Sequence, residues 1–277
     1  MNDLEEFIKN VKFSKHCKFC EGIDDSIEDP KHHPSYEITK KCNLNCIFCY
    51  SRVAERSKTV PEPGYYGEMN PKVITISQYG EPFASGEKEV ARIIDELRKI
   101  FGEVRIDIQT NGTYDLKILD GRADIVMISI SAGKREKYAE ICGVDAFPKV
   151  LENLKKVSGF AYTIVRTVYL PGINDSELVD IAKIAAEVDE LFIQPVSVYR
   201  ENLPSLNRLD FDRAESIYEF IKSAFSVSEI ANIRLPGCFL KNLKAFLENY
   251  DFQELKFVKR NVFGDYPAIR RKRLFVL

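Results

Sequence analysis

The chain has 277 residues, 45% hydrophobic and 30% charged, with 40 basic against 42 acidic side chains. These figures exclude a disordered or fibrous chain, and a net charge of -2 excludes a strongly basic nucleic-acid binder as the default. The start Met-Asn-Asp-Leu-Glu-Glu is acidic where a signal peptide is basic, and no apolar stretch approaches the ~18 residues that cross a bilayer, so a cytoplasmic protein without membrane contact is expected.

Residues 1–35 hold a short helical start and the pair Cys17/Cys20. From Tyr36 the sequence alternates β-rich runs with helical patterns, as a parallel sheet of βα units does. The first run, Tyr36–Thr39, leads into Cys42, Cys46 and Cys49. Val73–Ser77 follows, then a helical stripe of Val90, Ile93, Ile94, Leu97 and Phe101. Val104–Thr110 is the third run, and Ile125–Ile130, almost wholly apolar, reads as a strand buried on both faces. Tyr162–Leu170 is the fifth, and Leu191–Pro195, after a stripe of Leu178, Ile181, Ala182, Ala185 and Val188, is the sixth. One further helix is expected through Phe211, Ala214, Tyr218, Ile221 and Phe225, N-capped by Asp210. Six such units with right-handed crossovers close most of a barrel. The expected architecture is therefore α/β: a partial (β/α)6 TIM-like barrel over 36–225, with an N-terminal extension at 1–35 and a C-terminal one at 226–277, both candidate covers of the barrel.

Seven cysteines in a reducing compartment point to metal binding or redox chemistry rather than disulfides. Cys42-x3-Cys46-x2-Cys49 sets three thiolates close enough to converge on one inorganic centre. A structural zinc site wants a fourth ligand, which His32 or His33 would have to supply. A four-iron cluster on three cysteines leaves one iron open.

With Phe48 before the last cysteine, this motif resembles that of the radical S-adenosylmethionine (radical SAM) superfamily, in its branch of molybdenum-cofactor cyclases and peptide maturases. The resemblance runs from about Tyr36 to Val198. It implies a [4Fe-4S] cluster on Cys42, Cys46 and Cys49, S-adenosylmethionine on the open iron, and reductive cleavage to a 5′-deoxyadenosyl radical that modifies a substrate. It also implies oxygen sensitivity and a reducing partner such as ferredoxin or flavodoxin. The substrate is left open between a cofactor precursor, a peptide or protein, and RNA. Active sites of β/α barrels lie at the C-terminal ends of the strands, where the polar segments of this chain fall. By resemblance, Gly80 and Glu81 of Gln78-Tyr79-Gly80-Glu81-Pro82 meet the methionine amine, with Tyr79 departing from the usual glycine. Thr110, Asn111, Ser129 and Ser131 are the expected ribose or carboxylate contacts, Phe48 lies against the cofactor, and Arg166 pairs with the methionine carboxylate.

The other cysteines leave several readings open. Cys17 and Cys20 form half a metal site, which Cys142 and Cys238 would complete; buried free thiols are the plainer reading. Cys238 is alternatively a hydrogen donor to a substrate radical, as in some peptide epimerases of the superfamily. From Tyr250 onward there are seven basic and three acidic residues, and Arg270–Arg273 would attract RNA phosphates or simply form a solvated face. Against the enzyme stand a non-catalytic zinc or iron–sulfur protein and a thiol oxidoreductase using Cys17 and Cys20.

Overall fold

The structure is a computed structural model and describes residues 2–257 and 271–277. After helix α1 (Asn2–Asn10) come strands β1 (Lys12–Phe13) and β2 (Ser35–Glu37), helix α2 (Tyr50–Arg56) and strands β3 (Gly64–Tyr66) and β4 (Val73–Ile76). Helix α3 (Glu87–Phe101) leads to β5 (Arg105–Thr110) and β6 (Ile125–Ser129), and α4 (Arg135–Cys142) with α5 (Phe147–Val157) to β7 (Tyr162–Tyr169). The rest is α6 (Leu178–Ala185), β8 (Glu190–Pro195), α7 (Phe211–Glu215), α8 (Ile217–Phe225), β9 (Ile233–Leu235), α9 (Gly237–Leu247) and β10 (Arg273–Phe275).

One ten-stranded sheet runs β1-β9-β8-β7-β6-β5-β4-β2-β3-β10. The six strands expected from the sequence, β2 and β4–β8, are its parallel centre. Both extensions are woven into it. The N-terminal one supplies β1, parallel to β9 at one edge, and the C-terminal one supplies β9 and, antiparallel to β3 at the other edge, β10.

The pleat divides each strand between two environments. Outward side chains such as Ile74, Ile76, Ile106, Ile108, Val126, Ile128, Val165 and Ile193 bury against the helices, whose Val90, Ile94, Leu97, Val150 and Ile181 are fully covered. The stripe read in the sequence is thus the packed face of α3. The inward positions match across the register in three successive rows, Thr75–Asp107–Ile125–Tyr162, then Gln109–Met127–Ile164–Glu190, then Ser129–Arg166–Phe192–Arg234. Inside, Ile125, Met127, Ile164 and Phe192 form an apolar cluster with Tyr162 and Cys17 packed against it, and Asp107, Arg166, Glu190 and Arg234 add charge around it.

The helix expected through Phe211–Phe225 is broken. Ser216 is extended (φ -78, ψ 118), bridges Lys256, and turns its hydroxyl to accept from the Glu219 N–H. One residue thus ends α7 and caps α8. The basic run divides as well. Arg270 lies outside the described residues, whereas Arg271 ion-pairs with Glu21 and Glu68 and donates to the His32 carbonyl. Among the described residues no helix is long and apolar enough to cross a membrane.

Candidate active site

Cys42, Cys46 and Cys49 lie on the loop between β2 and α2, at the C-terminal end of the sheet, with Cys49 the residue before α2. Backbone bonds pin this loop on two sides. The Asn45 and Ile47 N–H groups donate to Cys142 and Ile141 at the end of α4 (2.8 and 3.0 Å), and the Glu81 N–H donates to Lys41 (2.8 Å). Gly80 makes the second approach possible. It sits at φ +66, and a Cβ there would stand 2.3 Å from the Thr39 carbonyl oxygen. Ser77, closing β4, is also left-handed (φ +53), so the turn is strained where it meets the cysteine loop.

Their exposure differs: Cys42 is exposed, Cys46 and Cys49 are half-buried, and Cys46 packs against the core. Cys42 Sγ accepts from the Leu44 N–H (3.5 Å) and the Asn111 amide (3.7 Å). Cys46 donates toward Cys142, which holds the Cys46 thiol well above its ordinary range and lowers that of Cys142. Cys46 and Cys49 open on a cleft of about 90 Å³ walled by Arg52, Arg56 and Glu201. Phe48 packs its ring against the core. Among the described residues no three His, Cys, Asp or Glu side chains are already closed to metal-binding distance, this triplet included. Three soft donors on one short loop nonetheless fit an iron–sulfur cluster. Of the two histidines the zinc alternative would draw on, His33 has its Nε2 bonded to the His16 carbonyl (2.7 Å), and both precede the N-terminal end of β2, whereas the cysteines follow its C-terminal end.

Glu81 is placed as a brace. Its residue is 1% exposed; one oxygen accepts from the Thr110 hydroxyl (2.8 Å) and the Phe83 N–H (3.3 Å), the other from the Asn111 N–H (2.6 Å). Burial pushes its carboxyl up to about 7 against these bonds. Asn111 is likewise engaged: its amide donates to Asn43 and its carbonyl accepts from Thr113. Thr110, Asn111 and Glu81 therefore tie the ends of β4 and β5 to the cysteine loop. Ser131 is buried beside Cys142, to which it hydrogen-bonds, and so points away from the interior. Ser129 stays on the inner face, opposite Arg166.

Arg166 is the cation of the interior. Its guanidinium donates to Gln194 (2.5 Å) and Gln109 (2.7 Å), and no carboxylate pairs with it among the described residues. Closely surrounded yet half-buried by exposed area, it lies within electrostatic reach of Tyr50 and Cys49. Tyr50 packs on Tyr79, ring centroids 4.8 Å apart, and Glu37 accepts from the Gln78 and Tyr79 N–H groups (both 3.1 Å). Sequence reading did not single out Glu37, Tyr50 or Gln109. A carboxylate inside a β-run and a tyrosine directly after the last cysteine were the available signals.

Cys238, just after β9, stands beside Gly22 and Cys20 and within electrostatic reach of Cys17. The structure thus groups it with the N-terminal cysteine pair, and Cys142 is the fourth cysteine near the triplet.

A parallel β/α sheet with three cysteines on one loop beyond its first central strand defines a β/α-barrel-like protein with a candidate metal-binding loop. The family model "Radical SAM superfamily" matches residues 36–185, and the chain belongs to that superfamily. Membership makes it an enzyme and implies a [4Fe-4S] cluster and S-adenosylmethionine as its cofactors. An uncharacterized protein of Methanocaldococcus jannaschii is 39% identical over 97% of this chain and 94% of its own length. A probable GTP 3′,8-cyclase of Pyrococcus abyssi is 28% identical over 56% of the chain, and a 7,8-dihydro-6-hydroxymethylpterin dimethyltransferase of M. jannaschii 26% over 69%. The chain spans 53% of that cyclase and 41% of that methyltransferase. Streptococcus suis SuiB, solved bound to S-adenosylmethionine, shares the fold at 15% identity (TM-score 0.50, 82% of this chain and 52% of that one).

Proposed function

We propose that Cys42, Cys46 and Cys49 hold the [4Fe-4S] cluster and that the enzyme cleaves S-adenosylmethionine reductively to act on a substrate admitted to the polar interior. The bound cofactors supply a 5′-deoxyadenosyl radical able to abstract hydrogen; the chain supplies position, charge and shielding. The observation that carries this reading is the cysteine loop itself, whose three thiols are locked by Gly80 and α4 over that interior.

The Gly80 backbone orients the methionine end, and Glu81 acts behind it by fixing the β4 and β5 loops. Arg166, a desolvated cation without a carboxylate, takes the methionine carboxylate, with Ser129 as the neighbouring hydroxyl. Tyr50 and Tyr79 wall the interior beneath. Exposure of Cys42 leaves an edge for electron delivery by a ferredoxin- or flavodoxin-like partner. The named relatives act on GTP and on a pterin, which favours a small polar molecule over a peptide or RNA. The engagement of Arg271 in ion pairs also weakens the case for RNA.

The test is anaerobic. Reconstitution with iron and sulfide, then S-adenosylmethionine and dithionite, should yield 5′-deoxyadenosine in the wild type and only background in Cys49→Ala. A protein that takes up zinc in place of a cluster and forms no 5′-deoxyadenosine would sink the proposal.

A further inference from the structure

We propose that Cys17, Cys20 and Cys238 form a second, thiolate-bound transition-metal centre, separate from the cysteine loop. The three residues come from chain segments more than two hundred positions apart, and the parallel pairing of β1 with β9 is what joins them. Cys17 and Cys20 follow β1 on a tight turn closed by the Cys20 N–H on the Cys17 carbonyl (3.0 Å), and Cys238 is the second residue of α9, just after β9.

Three observations mark the group as a ligand set. Cys17 Sγ accepts from the Gly237 N–H (3.4 Å), a bond that favours a thiolate, and the Cys20 thiol points to the Lys31 carbonyl (3.9 Å). Two glycines let the segments approach closely: a Cβ on Gly22 would lie 3.1 Å from Cys238 Cβ and 3.7 Å from Cys20 Sγ, and one on Gly237 would lie 2.4 Å from Ile23 Cγ2 and 3.2 Å from Cys17 Cβ. Finally, basic side chains border the group: Arg271, ion-paired with Glu21 and Glu68, is within reach of Cys20, and Lys241, paired with Asp25, of Cys238. Cys20 is half-buried and Cys238 exposed, which leaves a route for metal entry. Thiolates select soft or borderline metals, so zinc(II) alone and iron with sulfide are the two loads to distinguish.

The experiment uses the full chain with Cys42, Cys46 and Cys49 all changed to alanine, so that metal at the loop cannot contribute and failure of the radical-enzyme reading is scored separately. Purified anaerobically, this variant is offered zinc(II), cobalt(II) as a spectroscopic probe, or iron with sulfide. About one equivalent of zinc or cobalt per chain with a thiolate-to-cobalt charge-transfer band, or one iron–sulfur cluster, is expected. Adding Cys238→Ser, or separately Cys17→Ser, should abolish it, whereas adding Cys142→Ser should not. Circular dichroism establishes that each variant is folded. A folded variant that binds no metal, or one whose stoichiometric metal survives both Cys238→Ser and Cys17→Ser, overturns the proposal.

Discussion

At the scale of single residues, the active-site rim depends on one backbone conformation and two buried carboxyls. Gly80 combines a left-handed φ of +66 with a carbonyl oxygen 2.3 Å from where a Cβ would stand; Gly121 shares the φ (+68) but has nothing within 4 Å, as does Gly102 at φ +70. Gly121→Ala is therefore the control that carries the conformational penalty alone, about 1–2 kcal/mol, and Gly102, with ψ -135, is a poorer match. Gly80→Ala should cost clearly more and lower iron uptake at the cysteine loop, both read from denaturant midpoints and iron content. Equal losses for the two would show that the approach to Thr39 is not tight. Glu37 is buried, and burial raises its carboxyl to about 7 from an unfolded value of 4.5. The folded state thus keeps this proton to higher pH than the unfolded state. Its contribution to stability is full below about pH 4.5 and is lost as pH rises toward 7. Glu37→Gln should make the metal-free protein's decline in stability between pH 5 and 7 shallower, Glu81 leaving a residual slope. Thermal melts across that window decide it; an unchanged slope would place the Glu37 titration elsewhere.

At the scale of elements, the N-terminal segment plugs the lower interior through a few buried polar bonds. Glu190, the first residue of β8, accepts from the Ser14 hydroxyl (2.7 Å), the Lys15 N–H (2.9 Å) and the Tyr162 hydroxyl (2.8 Å). Beside it His16 Nδ1 meets Asp107 at 2.7 Å, and Arg105 holds the same carboxylate. Glu190→Ala leaves the buried Ser14 hydroxyl and two part-buried donors unmatched and should cost about 2–3 kcal/mol, with Glu190→Gln losing less. Faster tryptic cleavage at Lys15, Lys18 and Lys31 is the expected signature, and protection equal to wild type in Glu190→Ala would show that the plug is held by packing instead. None of this was legible in the sequence. The six central strands were, because alternation and apolar runs mark each strand within its own few residues, and so was the cysteine triplet, because its ligands share one loop. Glu190, Asp107 and His16 read locally as ordinary charged residues, and only the sheet register brings them together. Arg166 could be flagged as a charge within an apolar run, but its Gln109 and Gln194 partners lie on other strands. Ser131 faced outward for a similar reason: the chain has left β6 by that point, and the period of two no longer fixes its side.

At the scale of the whole molecule, the two chain ends brace the same sheet from opposite edges, and Arg271 links them. It is 12% exposed at the side chain and joins Glu21 and His32 of the N-terminal segment to Glu68 beyond β3, while β10 behind it pairs with β3. The C-terminal residue repeats the connection, since the Leu277 N–H donates to the Tyr36 hydroxyl (2.8 Å) on β2. Surface ion pairs contribute ~0–1 kcal/mol, but a guanidinium this enclosed, bonded to two carboxylates and a carbonyl, belongs with charge-assisted bonds of ~1.5–3 kcal/mol. Arg271→Ala should therefore lower the unfolding midpoint, and Arg271→Lys should recover only part of the loss, because an ammonium does not reproduce the fork that reaches Glu21 and Glu68 together. Hydrogen exchange separates this strap from a local contact. The expected pattern is faster exchange both at residues 20–32 and along β10, with β5–β7 unchanged. Faster exchange confined to β10 would mean that the chain ends are stabilised independently.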